Sequence, residues 1–397
     1  MISLARYRLL LQTPGLRAAL LASIVGRMPI GIAGLAILLY VQSRSGSFAS
    51  AGLVSALYVL GLAVLAPPIG RLIDRLGPRP LLMASAVVYP SALLLLVMLV
   101  ERGAATVWLA ATALIGGALL PPITICMRAL FPRLLADPDL LQAAYSLDSI
   151  VIETIFVAGP ALIALFVAAG FPAGAVVFAA ASAIVGSALF MRAPAIRHWQ
   201  KPDVAHGGSL LGPLRDARLL ALFAATWLYS IAFGLLEVAV TALATRQGAP
   251  AAGGIILALA SFGSALGALV YGSRSWSPSP QRQYVFAQVA MALGQFALAP
   301  INDLVLMGVL CVAACSPMAP VIALQSMLVA RLTPRAMLAE SFTWAASCLL
   351  GGISAGIAAG GVMVEAWSPH GALLLAGAVT LAAALLSRFA LVTADAG

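Results

Sequence analysis

From residue 17 to residue 391 the chain alternates between apolar runs of roughly twenty residues and short polar stretches. An α-helix rises about 1.5 Å per residue and the hydrocarbon core of a bilayer is about 30 Å thick, so each run can cross it. Twelve runs are found, near 17–41, 50–70, 80–100, 105–130, 140–169, 172–192, 218–244, 251–272, 282–300, 303–330, 337–364 and 370–391. They are too long for barrel strands and show no two-residue alternation. Only 9% of the residues are charged and 62% are hydrophobic, whereas soluble domains carry about 25% charged residues. The expected fold is an all-α polytopic membrane protein with 12 transmembrane helices.

The placement of the basic residues orients these spans. With the N-terminus inside, alternate loops hold 18 of the 22 Lys and Arg residues, among them Arg71, Arg75, Arg79, Arg128, Arg133 and Arg335. The opposite loops hold only Arg44, Arg102 and Arg246, and Arg27 lies within a span. By the positive-inside rule both termini are cytoplasmic. The net charge of +9 is therefore a topology signal and not a nucleic-acid footprint. The first run lacks a small-residue cleavage site and reads as a retained span.

Residues 194–217 form the longest polar segment, with Pro194, His198, Lys201, Pro202, Asp203, His206, Gly207, Gly208 and Pro213. This is linker composition. It separates a six-span bundle over 1–193 from a second over 218–397. The halves are related: a shift of 202 places Gly52, Gly61 and Gly70 on Gly254, Gly263 and Gly272, and a shift of 198 places Pro122 and Arg133 on Pro320 and Arg331. Span two then corresponds to span eight, and span four to span ten. The second copy of the turn after span two, Gly272 to Pro278, has no Asp.

That turn, between spans two and three, reads Gly70-Arg71-Leu72-Ile73-Asp74-Arg75-Leu76-Gly77-Pro78-Arg79. Gly70, Leu72, Asp74, Arg75, Gly77, Arg79 and Leu82 match the signature Gly-x-Leu-Ala-Asp-Arg-x-Gly-Arg-Lys-x-x-Leu, so the chain resembles the major facilitator superfamily. Pro78 departs from the first basic position. The resemblance implies two pseudo-symmetric six-helix bundles and a cavity lined by spans one, four, seven and ten. It also implies a conformational switch at Gly70, Asp74, Arg75, Gly77 and Arg79, in which Asp74 helps lock the halves. Arg128 and the start of span eleven, after Pro334, are expected to complete its charge network.

An ionisable group inside a bilayer needs a partner, a water-filled cavity or neutralisation. Arg27 lies in span one, Asp148 and Glu153 in span five, Glu237 in the outer half of span seven, and Glu340 near the start of span eleven. Asp148 and Glu153 are five residues apart, hence about 140° apart around a helix, and at most one faces Arg27. Glu153, nearer mid-membrane, is the favoured partner. Either the pair is purely structural, or the acid takes up and releases a proton as it is alternately occluded and opened to water. Asp148, Glu153 and Glu237 are thus the candidate proton sites, and Arg27 is a counter-ion or an anchor for an anionic substrate.

Pro121-Pro122 with Thr124 in span four, and Ser316-Pro317 with Pro320 in span ten, mark broken or kinked helices. Thr124, Ser316, Trp227, Tyr229 and Trp344 are candidates for the cavity wall; the alternatives are that the prolines serve only as kinks and that the aromatics face lipid. Cys126, Cys311, Cys315 and Cys348 read as apolar packers, and His198, His206 and His370 fall in loops, so no metal or other cofactor is expected. There is no nucleotide-binding domain, phosphate loop or catalytic triad, which excludes ATP drive and argues against an enzyme.

The resemblance implies a monomeric secondary transporter in a bacterial inner membrane, with a small-molecule substrate, protons and the lipid bilayer as its partners. Proton-coupled export is the leading expectation. Only part of the export pattern is present: Thr112 replaces the usual Arg of span four, and span five keeps only Gly159-Pro160. Uptake of a sugar, amino acid or carboxylate is the alternative, and a non-transporting receptor or scaffold with the same fold is a third.

Overall fold

A computed structural model describes residues 5–199 and 212–392, which form helices joined by short turns, with no strand among them. Eleven elements are long and apolar enough to cross a membrane: Leu16–Ser45, Ser50–Leu76, Pro78–Glu101, Thr106–Leu134, Pro138–Ala168, Ala173–Arg192, Ala217–Arg246, Ala252–Gly272, Leu304–Leu332, Arg335–Ala366 and Pro369–Leu391. They are spans one to eight and ten to twelve.

Span nine is the 19-residue helix Pro280–Leu298. Four glutamines lower its hydropathy, yet three of them, Gln283, Gln288 and Gln295, are buried. The Tyr271 hydroxyl donates to Gln283 and the Thr380 hydroxyl donates to Gln295, each at 2.8 Å. Beyond Arg282 in its first turn, its exposed positions, including Phe286 and Leu293, are apolar. The polar groups therefore turn into the bundle and leave an apolar face outside.

Spans four and ten are interrupted as their prolines require. Helix stops at Ala118 and resumes at Ile123, and stops at Ala314 and resumes at Met318. Proline lacks an N–H and pushes the preceding residue out of the helical region.

The neighbour pattern of the first six spans recurs in the last six. Span one packs on two, five and six, as span seven packs on eight, eleven and twelve. Span two lies against four and span eight against ten. The recurrence reaches single residues: a Cβ on Gly61 would strike the Leu114 carbonyl, and one on Gly263 would strike the Val312 carbonyl. These pairs are related by the shifts of 202 and 198 seen in the sequence. Lipid gives little hydrophobic drive for helix association, so such small-residue contacts set the spacing.

One sequence expectation is corrected here. Residues 70–76 are not a loop but the last turns of the helix Phe48–Leu76, and the next helix starts at Pro78. Gly77 alone reverses the chain, with φ 82°. A left-handed φ suits glycine, so one residue suffices. Of the linker, Pro194–Arg197 is a short helix and Gly212–Arg215 a 3-10 turn. Lys201, Pro202, Asp203, His206, Gly207 and Gly208 lie outside the described residues.

Candidate functional site

The halves meet through span two against eleven, span five against eight and ten, and span four against eleven. Their hydrogen bonds begin at the basic end, where the Gly77 turn lies. Asp74 accepts from the backbone N–H groups of Ala339 at 3.1 Å and Glu340 at 2.9 Å. The α-helix of span eleven starts at Leu338, so a carboxylate from one half caps a helix of the other, where the helix dipole favours negative charge. Arg71, nearly one turn earlier, places Nη2 2.5 Å from Glu340 Oε1 and Nε 3.1 Å from Oε2. Gly70 allows this approach, since a Cβ there would stand 2.8 Å from the Ala339 carbonyl. Arg75 and Arg79 are exposed.

Arg128 is not part of this latch, contrary to the sequence expectation. The span-four arginine that attracts Asp74 is Arg133, whose guanidinium also lies 4.1 Å from the Trp199 ring centroid. The two arginines are five residues apart and point about 140° apart, so only one can face span eleven. Beside the latch, Gln142 of span five donates to the carbonyls of Tyr271 at 2.7 Å and Arg274 at 3.0 Å. The Tyr7 hydroxyl donates to the Leu269 carbonyl at 3.2 Å, and burial pushes its phenol up to about 12, so it remains a neutral donor.

Above the latch, inside the N-terminal bundle, Arg27 Nη1 stands 2.5 Å from Asp148 Oδ1 and Arg128 Nε stands 2.8 Å from Asp148 Oδ2. Asp148, not the favoured Glu153, is therefore the partner of Arg27. The side chains of Arg27 and Asp148 are 1% exposed and that of Arg128 is 9% exposed. Spans one and five come close enough because Gly31 and Gly159 abut: a Cβ on Gly31 would lie 2.6 Å from the Ile155 carbonyl, and one on Gly159 would strike the Gly31 carbonyl. The cluster holds two guanidiniums and one carboxylate, a net charge of +1. Arg27 Nε and Nη2 are buried without a hydrogen-bond partner among the described residues.

Glu153 points the other way. Its Oε1 accepts from Ser264 of span eight at 2.7 Å, and Ser264 Oγ accepts from the backbone N–H of Ala319 at 3.0 Å. Ala319 opens the helix that follows the break in span ten. The bridge thus runs from one half to two spans of the other, near the middle of span five. Ser347 of span eleven reaches the Ala63 carbonyl of span two at 3.0 Å. Among the described residues no hydrogen bond joins the halves beyond this level.

The other candidates are dispersed. Glu237 is exposed on the outer half of span seven, beside an open cavity of about 480 Å³ shared with Thr241, Thr245 and Arg246. Trp227 is 42% exposed, whereas Tyr229, two residues on, is fully buried. Tyr229 packs on Phe233 and Tyr284 and donates to Gln325 at 3.0 Å, so in this conformation it is part of the C-terminal bundle and not of a cavity wall. Ser316 lines a side cavity between spans eight, nine and ten instead of the centre. Thr124 and Trp344 are half-buried, and Thr124 Oγ1 and Trp344 Nε1 have no hydrogen-bond partner among the described residues.

Sequence reasoning missed Ser264, Gln142 and Gln325. The glutamines carried a signal, as amides within apolar spans. A serine in an Ala- and Gly-rich helix carries none.

The family model of the Major Facilitator Superfamily matches residues 19–328. No curated protein matches the sequence. Among solved structures, a bacterial homologue of the iron transporter ferroportin in an outward-facing state superimposes with a TM-score of 0.76 at 14% identity, covering 96% of this chain and 99% of that one. The human organic anion transporter MFSD10 (TETRAN) gives 0.74 at 16% identity, covering 94% and 99%. The E. coli fucose:proton symporter gives 0.68 at 15% identity, covering 94% and 98%. At such identities the likeness is one of fold.

Proposed function

The chain belongs to the major facilitator superfamily, and from that premise we propose that it exports a small organic anion across a bacterial inner membrane in exchange for protons, by alternating access. The observation that carries the proton coupling is the Glu153 bridge. It holds a carboxylate near the middle of span five, between the halves, with Ser264 as a donor and no ion pair to a cation among the described residues. Rocking the halves apart at the basic end breaks this contact and opens the acid to the other side, as a coupling site requires. Asp148, held by two arginines, is a poorer candidate, and Glu237 is a second acid near the outer end of the pathway.

With both termini in the cytoplasm, the bonded end is the cytoplasmic one and the conformation is outward-facing. The similarity to an outward-facing ferroportin homologue supports this reading. The bundles are taken as residues 1–193 and 218–397, joined by a cytoplasmic linker, in a monomer. The anionic character of the substrate rests on the +1 charge of the Arg27, Asp148 and Arg128 cluster. The likeness to a protein named as an organic anion transporter points the same way.

The test is uptake of labelled organic anions, cations and sugars into inside-out vesicles, with and without an imposed pH gradient. Wild type should accumulate an anion only with the gradient, and Glu153→Gln should lose that dependence while still exchanging substrate. Accumulation that ignores both the gradient and the substitution would remove proton coupling. Movement only in right-side-out vesicles would replace export by uptake.

A further inference from the structure

Between spans eight, nine and ten lies a cavity of about 590 Å³ that takes no part in the pathway above. Its walls are almost entirely apolar, with Val270, Ala290, Pro320 and Leu324 among them. Span nine, one of its walls, packs chiefly on spans ten and twelve, so that wall of the cavity faces away from the boundary between the halves. Phe286 is 64% exposed and Leu266 is 40% exposed at its edge. Large apolar side chains exposed on a membrane span face hydrocarbon, so the cavity opens sideways into the bilayer.

The end nearest the termini is not apolar. Trp276 stacks on Tyr271 with ring centroids 5.9 Å apart and donates its indole N–H to the Tyr271 carbonyl at 3.0 Å. The Arg274 guanidinium lies 5.7 Å from the Trp276 ring centroid. Arg282 is exposed and stands one turn before Phe286, on the same face of span nine. Trp276 and Gln283 line the cavity at this end, and each has a cation beside it, Arg274 against the Trp276 ring and Arg282 next to Gln283 in the chain, which sets two cations and an interfacial tryptophan at headgroup depth.

We infer that this is a binding site for an anionic phospholipid of the leaflet at the basic end, with an acyl chain in the cavity and the phosphate between Arg274 and Arg282. A lipid fits better than a soluble anion because the slot opens to hydrocarbon and its volume lies in the ~300–1,000 Å³ range of apolar ligand sites. Basic pockets between spans recruit anionic headgroups, each cation contributing by its charge. The site also touches the gate, since Tyr271 and Arg274 supply the carbonyls that Gln142 of span five grips. A bound lipid steadies that turn and favours the conformation closed at the basic end; this last consequence rests on the alternating-access reading, whereas the binding itself does not.

The experiment is native mass spectrometry of the full purified chain titrated with phosphatidylglycerol or with phosphatidylcholine of the same acyl chains. Phosphatidylglycerol should be retained on the order of tenfold more strongly. Arg274→Gln/Arg282→Gln should abolish that preference, and Ala290→Phe, at an exposed position that narrows the slot, should reduce retention of both lipids. Equal retention of the two lipids, or a preference unchanged in the double variant, would overturn the headgroup assignment. Retention unchanged by Ala290→Phe, or full displacement of lipid by glycerol phosphate, would overturn the acyl-chain assignment. The double variant changes only solvent- and headgroup-facing side chains, and an unchanged melting temperature in detergent confirms that it is folded. Lipid retention is read on the purified chain and proton-linked anion transport in vesicles, so the two readings fail separately.

Discussion

Arg27 and Asp148 are 121 residues apart in the chain, and their side chains meet at 2.5 Å in the buried core of the N-terminal bundle. The contact ties span one to span five, and Arg128 occupies the other carboxylate oxygen. Neutralising Asp148 would leave two buried guanidiniums without a counter-charge. Asp148→Asn is expected to cost about 3–5 kcal/mol, the range for removing one partner of a buried ion pair. Thermal unfolding in detergent measures this directly, and a melting temperature equal to wild type would show that the cluster does not hold the spans together.

The glycine contact that permits this pairing gives a second prediction. A side chain at residue 159 would run into the backbone of span one at Gly31. Gly159→Val should separate spans one and five and lengthen the Arg27–Asp148 contact. The expected loss is about 1–3 kcal/mol, as for overpacking in a tight interior. Gly52→Ala, where a Cβ meets nothing within 4 Å, is the control and should leave stability unchanged.

How much of this was legible beforehand follows from helix geometry. The 140° between Asp148 and Glu153 showed that the two acids serve different neighbours, and one does face span one while the other faces span eight. Which did which was not legible, because spacing gives relative angle and not the absolute rotation of a helix against its partners. The same limit moved Arg128 from the latch to the Asp148 cluster and brought in Arg133, again five residues away. The match of Asp74 to the family signature did identify a residue at the boundary between the halves. That its partners are the two N–H groups of Ala339 and Glu340 was invisible, since backbone donors leave no mark in a sequence. Gly61 and Gly263 were legible as a repeat because close packing of span pairs requires a small residue at both places.

The Asp74 latch should act on conformation more than on substrate binding. Asp74→Ala leaves the Ala339 and Glu340 N–H groups without their acceptor, which costs about 0.5–2 kcal/mol on the scale of helix caps. That shifts the population of the state closed at the basic end by roughly 2- to 30-fold. Spin-label distances between spans two and eleven at both ends should show the basic end opening and the distal end closing. An unchanged distance distribution would mean that the remaining bonds between the halves, Arg71–Glu340 and Gln142 among them, hold the closure without Asp74.

Ser264 offers a separate handle on the mid-membrane bridge. Ser264→Ala removes the donor to Glu153 and the acceptor for Ala319 N–H together. The Ala319 N–H lies in the same half and loses its acceptor in either conformation, whereas Glu153 loses a donor that crosses the halves; a buried acceptor left unsatisfied costs about 1–3 kcal/mol, so the closed conformation should weaken. Proton coupling should survive, because the carboxylate remains. The pH-gradient dependence of vesicle transport separates the two effects: loss of coupling in Ser264→Ala would assign the serine, and not only Glu153, to the proton pathway.

The charge of the buried cluster predicts how substrate recognition fails. Arg128→Gln leaves Arg27 and Asp148 as a balanced pair, so the fold should tolerate it with little change in melting temperature. The excess positive charge is gone, and a ligand that supplied the balancing negative charge loses its partner. Charge-assisted hydrogen bonds contribute about 1.5–3 kcal/mol, so affinity for an anionic substrate should fall on the order of 10- to 100-fold. Neutral analogues should bind no worse than before. Arg128→Lys keeps the charge but loses the Nε–H that donates to Asp148 Oδ2, and should restore part of the anion affinity. Equal loss for anionic and neutral ligands, or a large drop in stability without a change in affinity, would make Arg128 a structural clamp on Asp148 and remove the charge argument for an anionic substrate.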